Sequence, residues 1–397
     1  MTSVPGFCRL IIAGAAVLFA SAPMAQTVKV GVISTYSGFL ARSGEQMEHG
    51  FRLYMKLHQS DLPPGVKVEL VIRDDGGPNP DKGKQLAQEL IVRDKIQILT
   101  GMMWSPVALA IAPLVTEAKV PMVIMNAAAS IITTRSPYIA RLSFTEWQHA
   151  YPLGQWAAKK YKRAYTLVSD LAPGHDAEEA FVRGFTQGGG QILNKVRMPL
   201  QNLDYTPFLQ RARDAKPEVL FAFVNSGVTA TQLIKVYSNL GLAKEGIKLI
   251  GSGNITSDEE LQNMGDAALG VITAYHYSVA AERPANKAFL SALRKEYGEK
   301  EVPSVFTLGG WDGMAAIFEA IRQQAGRIDP DKTIEILRHY KNPDSPRGTI
   351  SVDPETRDVV HNEYIREVRN VGGQLANVEV ETIANVKDPW KELNQKK

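Results

Sequence analysis

Six short stretches of the sequence hold residues able to grip an anion without a charged partner. Thr35-Tyr36-Ser37-Gly38, Gly101-Met102-Met103-Trp104-Ser105 and Asn126-Ala127-Ala128-Ala129-Ser130 lie in the first half. Ser169 to His175, Asn225-Ser226-Gly227-Val228 and Gly251-Ser252-Gly253-Asn254 lie in the second. They are rich in small residues, hydroxyls and amides and poor in charge. Such loops expose backbone N–H groups at helix starts, which suits a carboxylate. Three side chains each have two readings. Trp104 stacks on a ligand ring, or it is a core tryptophan at the end of a buried strand. His175 donates to an anion, or it is a solvated loop histidine. Arg42 pairs with a carboxylate, or it is a surface arginine. Asp74-Asp75, just before Gly76-Gly77, reads as a turn cap.

Catalytic patterns fail one by one. Gly251-Ser252-Gly253 has the wrong spacing for a nucleophile elbow. Gly76-Gly77 to Gly83-Lys84 misses the phosphate-loop spacing, and Gln85 stands where Ser or Thr is required. No Gly-x-Gly-x-x-Gly follows the first apolar run, so a dinucleotide site lacks its fingerprint. The seven histidines form no His-x-x-x-His pair, so a zinc site has no support and no metal is expected.

These loops need elements to position them. Val28 to Thr35, Val66 to Arg73, Ile96 to Thr100 and Val120 to Met125 read as strands. Helical spacing falls between them at Met47 to Met55, Asp81 to Asp94 and Val107 to Ala118. The order restarts with strands at Ala164 to Ser169, Gln191 to Arg197, Glu218 to Val224, Ile247 to Gly251 and Gly270 to His276. Helices are expected at Ala177 to Gln187, Tyr205 to Asp214 and Thr229 to Leu240. Strand–helix alternation implies parallel sheets with helices on both faces, and the restart implies two doubly wound units. Open parallel sheets place ligands beyond the carboxyl ends of their strands, where the six loops lie. The tail adds helices at Asn286 to Tyr297 and Gly313 to Gln323, and late strands at Gly348 to Asp353 and Glu363 to Gln374. It forms a third unit or completes the first two.

With 397 residues, 44% of them apolar, the chain is long enough for two domains. A net charge of +3 without a basic block disfavours nucleic acid as a partner. Leu10 to Ala20 is an apolar run after Arg9, followed by Ser21-Ala22-Pro23-Met24-Ala25, and reads as a secretory leader cut after Ala25. The single cysteine, Cys8, lies inside it. The mature chain then has no disulfide and no thiolate site, and its core alone must hold it.

A set of motifs, taken together, resembles the Leu/Ile/Val-binding family of periplasmic solute-binding proteins, which serve ATP-driven importers. The set is Val30-Gly31-Val32 with Ser37-Gly38 and Gly44, Arg73-Asp74-Asp75, Gln88-Glu89-Leu90-Ile91, Gly101 with Ser105, Pro121 with Asn126-Ala127-Ala128, Arg141 with Gln148, and Trp311-Asp312-Gly313. The resemblance implies a type I periplasmic binding fold, α/β, with two doubly wound Rossmann-like lobes joined by three crossover segments. Residues 1–25 would be the leader, 26–143 plus 276–345 the first lobe, and 144–275 plus 346–397 the second. It also implies that Ser105 and the amides of Ala127-Ala128-Ala129 hold a ligand carboxylate. Amino-acid binders of the family place an acid in the second lobe, but the matching Gly251-Ser252-Gly253 has none. A dry ammonium without a counter-charge is costly. With Trp104 nearby, the loops therefore resemble the branch that takes up aromatic acids of the benzoate or cinnamate kind. Tyr275 and Tyr277 add aromatic surface. The candidate ligand residues are Arg42, Ser43, Trp104, Ser105, Ala127, Ala128, Ala129, His175, Asn225, Ser226, Ser252 and Tyr275. The implied partners are a small organic acid and an inner-membrane ABC permease, with a monomeric chain, no cofactor and no enzymatic activity. The rival ligand is a branched-chain amino acid or amide, which needs an acid such as Asp170, Asp176 or Glu259 to reach the cleft. The rival functions are an enzyme of similar fold and a ligand-sensing receptor domain.

Overall fold

The computed structural model describes residues 1–2, 26–200 and 204–394. The expected leader lies, after its first two residues, outside the described residues. The first sheet is built from β1 (Gln26–Ser34), β2 (Val66–Asp74), β3 (Ile98–Gly101), β4 (Met122–Ile124) and β5 (Ile139–Arg141), all parallel in the order β2-β1-β3-β4-β5. Helices α1 (Ala41–His58), α2 (Pro80–Gln88) and α3 (Ser105–Glu117) connect successive strands. Alternation along the strands feeds two cores. Val28, Val30 and Val32 of β1 pack on one face with Met47 and Phe51 of α1. Ile33 packs on the other face with Val107 and Ile111 of α3. Burial on both faces is why these strands read as apolar runs.

The second sheet follows α4 (Glu146–Ala158). Its strands and helices are β6 (Arg163–Ser169), α5 (Ala172–Gln187), β7 (Gln191–Met198), α6 (Thr206–Asp214), β8 (Val219–Phe223), α7 (Val228–Asn239), β9 (Lys248–Ser252), the short α8 (Leu261–Met264) and β10 (Ile272–Tyr275). The parallel order is β7-β6-β8-β9-β10. Leu167, Leu220 and Leu249 enter one core, and Val168, Phe221 and Ile250 the other.

The tail divides between the two sheets. Helices α9 (Pro284–Tyr297), α10 (Val305–Gln323) and α11 (Pro330–Arg338) return to the first, where Met314, Ile317, Phe318 and Ile334 join the core of Val28 and Phe51. The strands β11 (Lys341–Asn342), β12 (Ile350–Val352), β13 (Val359–Val371) and β14 (Gln374–Val386) lead to α12 (Pro389–Asn394). β13 runs antiparallel to β10 and extends the second sheet, with β14 beside it. The late strand expected at Glu363 to Gln374 is a hairpin that turns at Gly372-Gly373. Both glycines have positive φ, 60° and 87°, as a two-residue hairpin requires. Ile350, Val352 and Val359 bury in the first core, although the sequence reading put 346–397 with the second lobe. A strand pair crossing between units carries no boundary signal in its periodicity.

Two helices begin where the sequence pattern did not place them. α10 starts eight residues before the expected Gly313, at a capping box formed by Ser304 and Thr307. α4 starts at a second capping box, Thr145 with Gln148. α1 and α10 touch backbone to backbone. A Cβ on Gly50 would sit 1.9 Å from the Thr307 carbonyl oxygen, and one on Gly310 would sit 2.2 Å from that of Met47. Among the described residues no helix is long and apolar enough to cross a membrane.

The Gly310 contact gives a direct test. Gly310→Val should push α10 off α1 and cost about 1–3 kcal/mol or more, the range of core overpacking. The denaturant midpoint should fall without a change in slope. An unchanged midpoint would show that the helices do not approach this closely.

Candidate functional site

The carboxyl ends of β1, β3 and β4 converge on one polar seat. At the end of β3, Gly101 and the following Met102 both have positive φ, 98° and 62°. A Cβ on Gly101 would lie 2.2 Å from the Ile33 carbonyl oxygen, so glycine is required there. This turn delivers Trp104 and Ser105 to the start of α3. The indole N–H of Trp104 donates to Thr35 Oγ1 at 2.8 Å, and the Thr35 hydroxyl donates to Asp75 Oδ1 at 2.7 Å. The chain fixes the half-buried ring, and burial pushes the Asp75 carboxyl up. Asp75 therefore does more than cap a turn. Ser105 Oγ accepts from the Ala129 N–H at 3.2 Å, which leaves its own proton to donate. The Ala127 N–H donates to the Met102 carbonyl at 2.9 Å. Between them, the Ala128 N–H makes no backbone bond among the described residues. Ser105, Ala128 and the first turn of α3 are thus donors gathered at one helix N-terminus.

A buried guanidinium orients this loop from behind. Arg141, at the end of β5, is completely buried. It donates from Nη1 to the carbonyls of Ala127 and Ala129, at 3.0 and 2.9 Å, and from Nε to Asp358 Oδ1 at 2.8 Å. Holding those two carbonyls on one side fixes where the intervening N–H faces. Asp358 also meets Lys391 of α12, which contacts Thr133 as well. The Ser130 hydroxyl donates to Asp388 Oδ1 at 3.2 Å. Burial pushes the Asp388 carboxyl up to about 6.

The second sheet contributes its own strand ends. Ser252 closes β9 and is fully buried. Tyr275 closes β10, and its ring lies where a Cβ on Gly253 would be, 2.1 Å from Cγ. The Arg366 guanidinium sits 4.9 Å over that ring. Asn225 and Ser226 are half-buried ahead of α7. Asp176, in the first turns of α5, faces the Ser130 N–H, and burial pushes its carboxyl up to about 6. Glu259 is held at about 7 by burial.

The structure links Trp104, Ser105, Ala127, Ala128 and Ala129 into one seat, and Ser252 with Tyr275 into a second group. It gives two other candidates partners within the chain. Arg42 is exposed and paired with Glu301 at 2.6 Å and Glu45 at 3.6 Å, as a surface arginine. His175 is bound to Asp170 at 2.6 Å, with its side chain 39% exposed. Ser43 is half-buried in the first turn of α1. Sequence reasoning missed Glu146, the first residue of α4. It lies beside Ser252, and burial pushes its carboxyl up to about 8. The capping box at Thr145 was the available signal. Among the described residues no group of three or more His, Cys, Asp or Glu side chains is arranged to hold a metal ion.

Comparison with known proteins matches this architecture. Residues 27–374 match the family model described as periplasmic binding protein, and the chain belongs to that family. It is similar to a solute-binding protein of an ABC transporter from Rhodopseudomonas palustris BisB5, solved with 3,4-dihydroxybenzoic acid. That similarity is 47% identity with a TM-score of 0.86, over 92% of this chain and 99% of that one. A second R. palustris solute-binding protein, solved with 4-hydroxybenzoate, is 40% identical with a TM-score of 0.87, over 91% and 98%. The Leu/Ile/Val-binding protein homolog 6 of Brucella melitensis is 40% identical over 94% of this chain and 95% of its own length. The two-lobed type I periplasmic binding fold expected from the sequence is the fold found.

Two outcomes follow from the buried charges. Arg141→Met removes the guanidinium from Asp358 and from the Ala127 and Ala129 carbonyls, leaves those buried acceptors short of a donor, and should cost about 3 kcal/mol or more. A melting curve within a degree of wild type would mean the guanidinium does not hold the loop. Glu146 has a folded pKa raised above its ordinary 4.5. Its contribution to stability is therefore full below about pH 4.5 and lost as pH rises through about 8. Glu146→Gln should melt increasingly above wild type as pH is raised from about 5 to about 9, each pKa unit being worth roughly 1.4 kcal/mol. A gap that stays constant with pH would place Glu146 in contact with water.

Proposed function

We propose that this chain is the substrate-binding component of an ABC importer that captures a small aromatic carboxylate and delivers it to a membrane permease. The observation that carries this reading is the seat at α3, where the Ser105 hydroxyl and the Ala128 N–H stand as donors beside the fixed indole of Trp104. A carboxylate accepts from such donors without needing a cation. Solved relatives at 47% and 40% identity carry a dihydroxy- and a hydroxybenzoate. Closure would bring the second sheet's strand ends onto the ring, and Asp176 already faces the Ser130 N–H across the two units. In this reading the protein is a monomer with two lobes centred on the two sheets. It is exported to the periplasm by residues 1–25 and turns over no substrate.

A second reading, a branched-chain amino acid or amide, is favoured by one observation. Glu146 lies beside Ser252, where the sequence alone shows no acid, and the charge of Asp176 is felt at Glu146. Burial keeps Glu146 neutral near pH 7, which weakens it as a partner for an ammonium group.

A melting-temperature panel separates the two. Benzoates, hydroxycinnamates, leucine, valine, short amides and dicarboxylates are each added in excess. A ligand at 100 times its Kd stabilises by about 2.7 kcal/mol. An aromatic acid should shift the curve and leucine should not; the reverse result replaces the ligand class. Ser105→Ala should then weaken the bound acid by about tenfold or more, because it removes a hydrogen bond to a charged group.

A further inference from the structure

The end of the chain is anchored in both lobes. α12 has six residues, too few to hold a helix by themselves, so contacts on its sides must hold it. On one side Trp390 and Leu393 pack against the core of the second sheet, which holds Trp156 of α4 and Phe221 of β8. On the other side Lys391 is turned toward the first sheet. Its buried amine contacts Asp358 and the Thr133 hydroxyl. Asp358 pairs with Arg141 at the edge of the first sheet, and Thr133 lies in the turn Ile132–Arg135, whose Ile132 enters a first-sheet core. Asp388, three residues before Lys391, is buried as well. Its Oδ1 accepts from the Ser130 hydroxyl at 3.2 Å and from the Trp390 N–H at 3.1 Å. One carboxylate oxygen therefore joins the anchor in the second lobe to the loop in the first.

A buried amine must find acceptors, or it costs more than the helix gains. Here two of its partners, Asp358 and Thr133, lie across the junction from Trp390 and Leu393. They are in place only when the lobes keep this relation. The approach to α12 is tied in the same way. Gln148 Nε2 of α4 donates to the carbonyls of Val359 and Val386, at 2.8 and 3.0 Å, and Lys387 Nζ pairs with Asp353 at 2.8 Å. Ser130 and Thr133 directly follow Ala127-Ala128-Ala129, so the end of the chain grips the far side of the loop that Arg141 holds from behind. From this geometry we propose that residues 387–394 are a clasp across the two lobes. Trp390 fixes it to the second lobe, and Asp388 and Lys391 hold the loop from Ala127 to Thr133 in the first. Asp388 and Lys391 are then positioning residues, which act on a ligand only through that loop. The clasp rests on these contacts; its effect on ligand capture rests on the reading proposed above for the seat.

The test is hydrogen exchange read by mass spectrometry on the full chain without ligand, as wild type, Trp390→Ala and Lys391→Met. In both variants the amides of residues 128–135 should exchange about tenfold faster, while those of β8 keep their protection. Trp390 is anchored in the other lobe, so a packing role confined to that lobe would leave the loop protected. Combining the two substitutions should add little, because freeing either end releases the same contact. Benzoate affinity should fall roughly three- to thirtyfold in both variants, the range of couplings carried through such networks. If Lys391→Met does not melt cooperatively, Trp390→Ala, at a half-buried position, decides alone. Faster exchange in Lys391→Met only, or in neither variant, overturns the clasp. Faster exchange with unchanged benzoate affinity overturns its role in capture. If wild type binds leucine and not benzoate, the aromatic-acid reading falls, and the exchange result still decides the clasp.

Discussion

The buried ion pair of Arg141 and Asp358 sets the geometry on which the rest of the site depends. Arg141 ends β5, where the chain leaves the first sheet. Asp358 precedes β13, which runs into the second. The two backbones also meet directly, with the Arg141 N–H donating to the Arg357 carbonyl at 2.9 Å. A guanidinium without water must find an acceptor for each N–H it can. Here it finds the Asp358 carboxylate and the carbonyls of Ala127 and Ala129. Desolvation offsets much of the attraction, so the pair is a weak net stabiliser and a strong constraint on conformation. One interaction thereby couples the loop at Ala127-Ala128-Ala129 to two of the passages between the sheets.

The electrostatics around the strand ends follow from burying acids carried by helices and turns. Glu146, Asp176, Glu259 and Asp388 are all pushed up by burial, to between about 6 and about 8. Near pH 7 Glu146 is therefore mainly neutral and Glu259 close to half-protonated, whereas Asp176 and Asp388 stay mainly ionised. The first sheet, by contrast, offers backbone and hydroxyl donors at a helix start. In the reading proposed above, the acid's carboxylate end meets the first sheet's donors and its ring meets the second sheet's strand ends. The two ends are built by different sheets, which is the arrangement a closing clamp needs.

Much of the fold was legible because both sheets are buried on two faces, which concentrates Val, Ile and Leu into short runs separated by helical periodicity. What escaped was local and specific. β12 and the start of β13 share the first core while β13 pairs in the second sheet, and no periodicity reports which core receives a residue. α4 opens with Glu-Trp-Gln-His and holds Pro152, so only its capping box marked it. Of the candidate residues, Trp104, Ser105 and the three alanines lie on neighbouring strand-end loops, as loop composition and the family resemblance led one to expect. Arg42 and His175 found partners in Glu301 and Asp170, choices made by neighbours distant in sequence or by loop geometry.

The sequence by itself determined the class of fold, the strand–helix alternation of the two sheets, and the family. These depend on patterns confined to windows of a few turns or strands, which any chain of this composition must bury in the same way. Only the tertiary structure decided which acid lies beside the strand end at Ser252. Glu146 stands 106 positions from Ser252 in the chain and lies beside it in the fold. Lys391 and Asp388 come from the last helix and its approach to support a loop at Ser130. Pairing, desolvation and the protonation they impose are properties of contact in space, and residue order alone does not encode them.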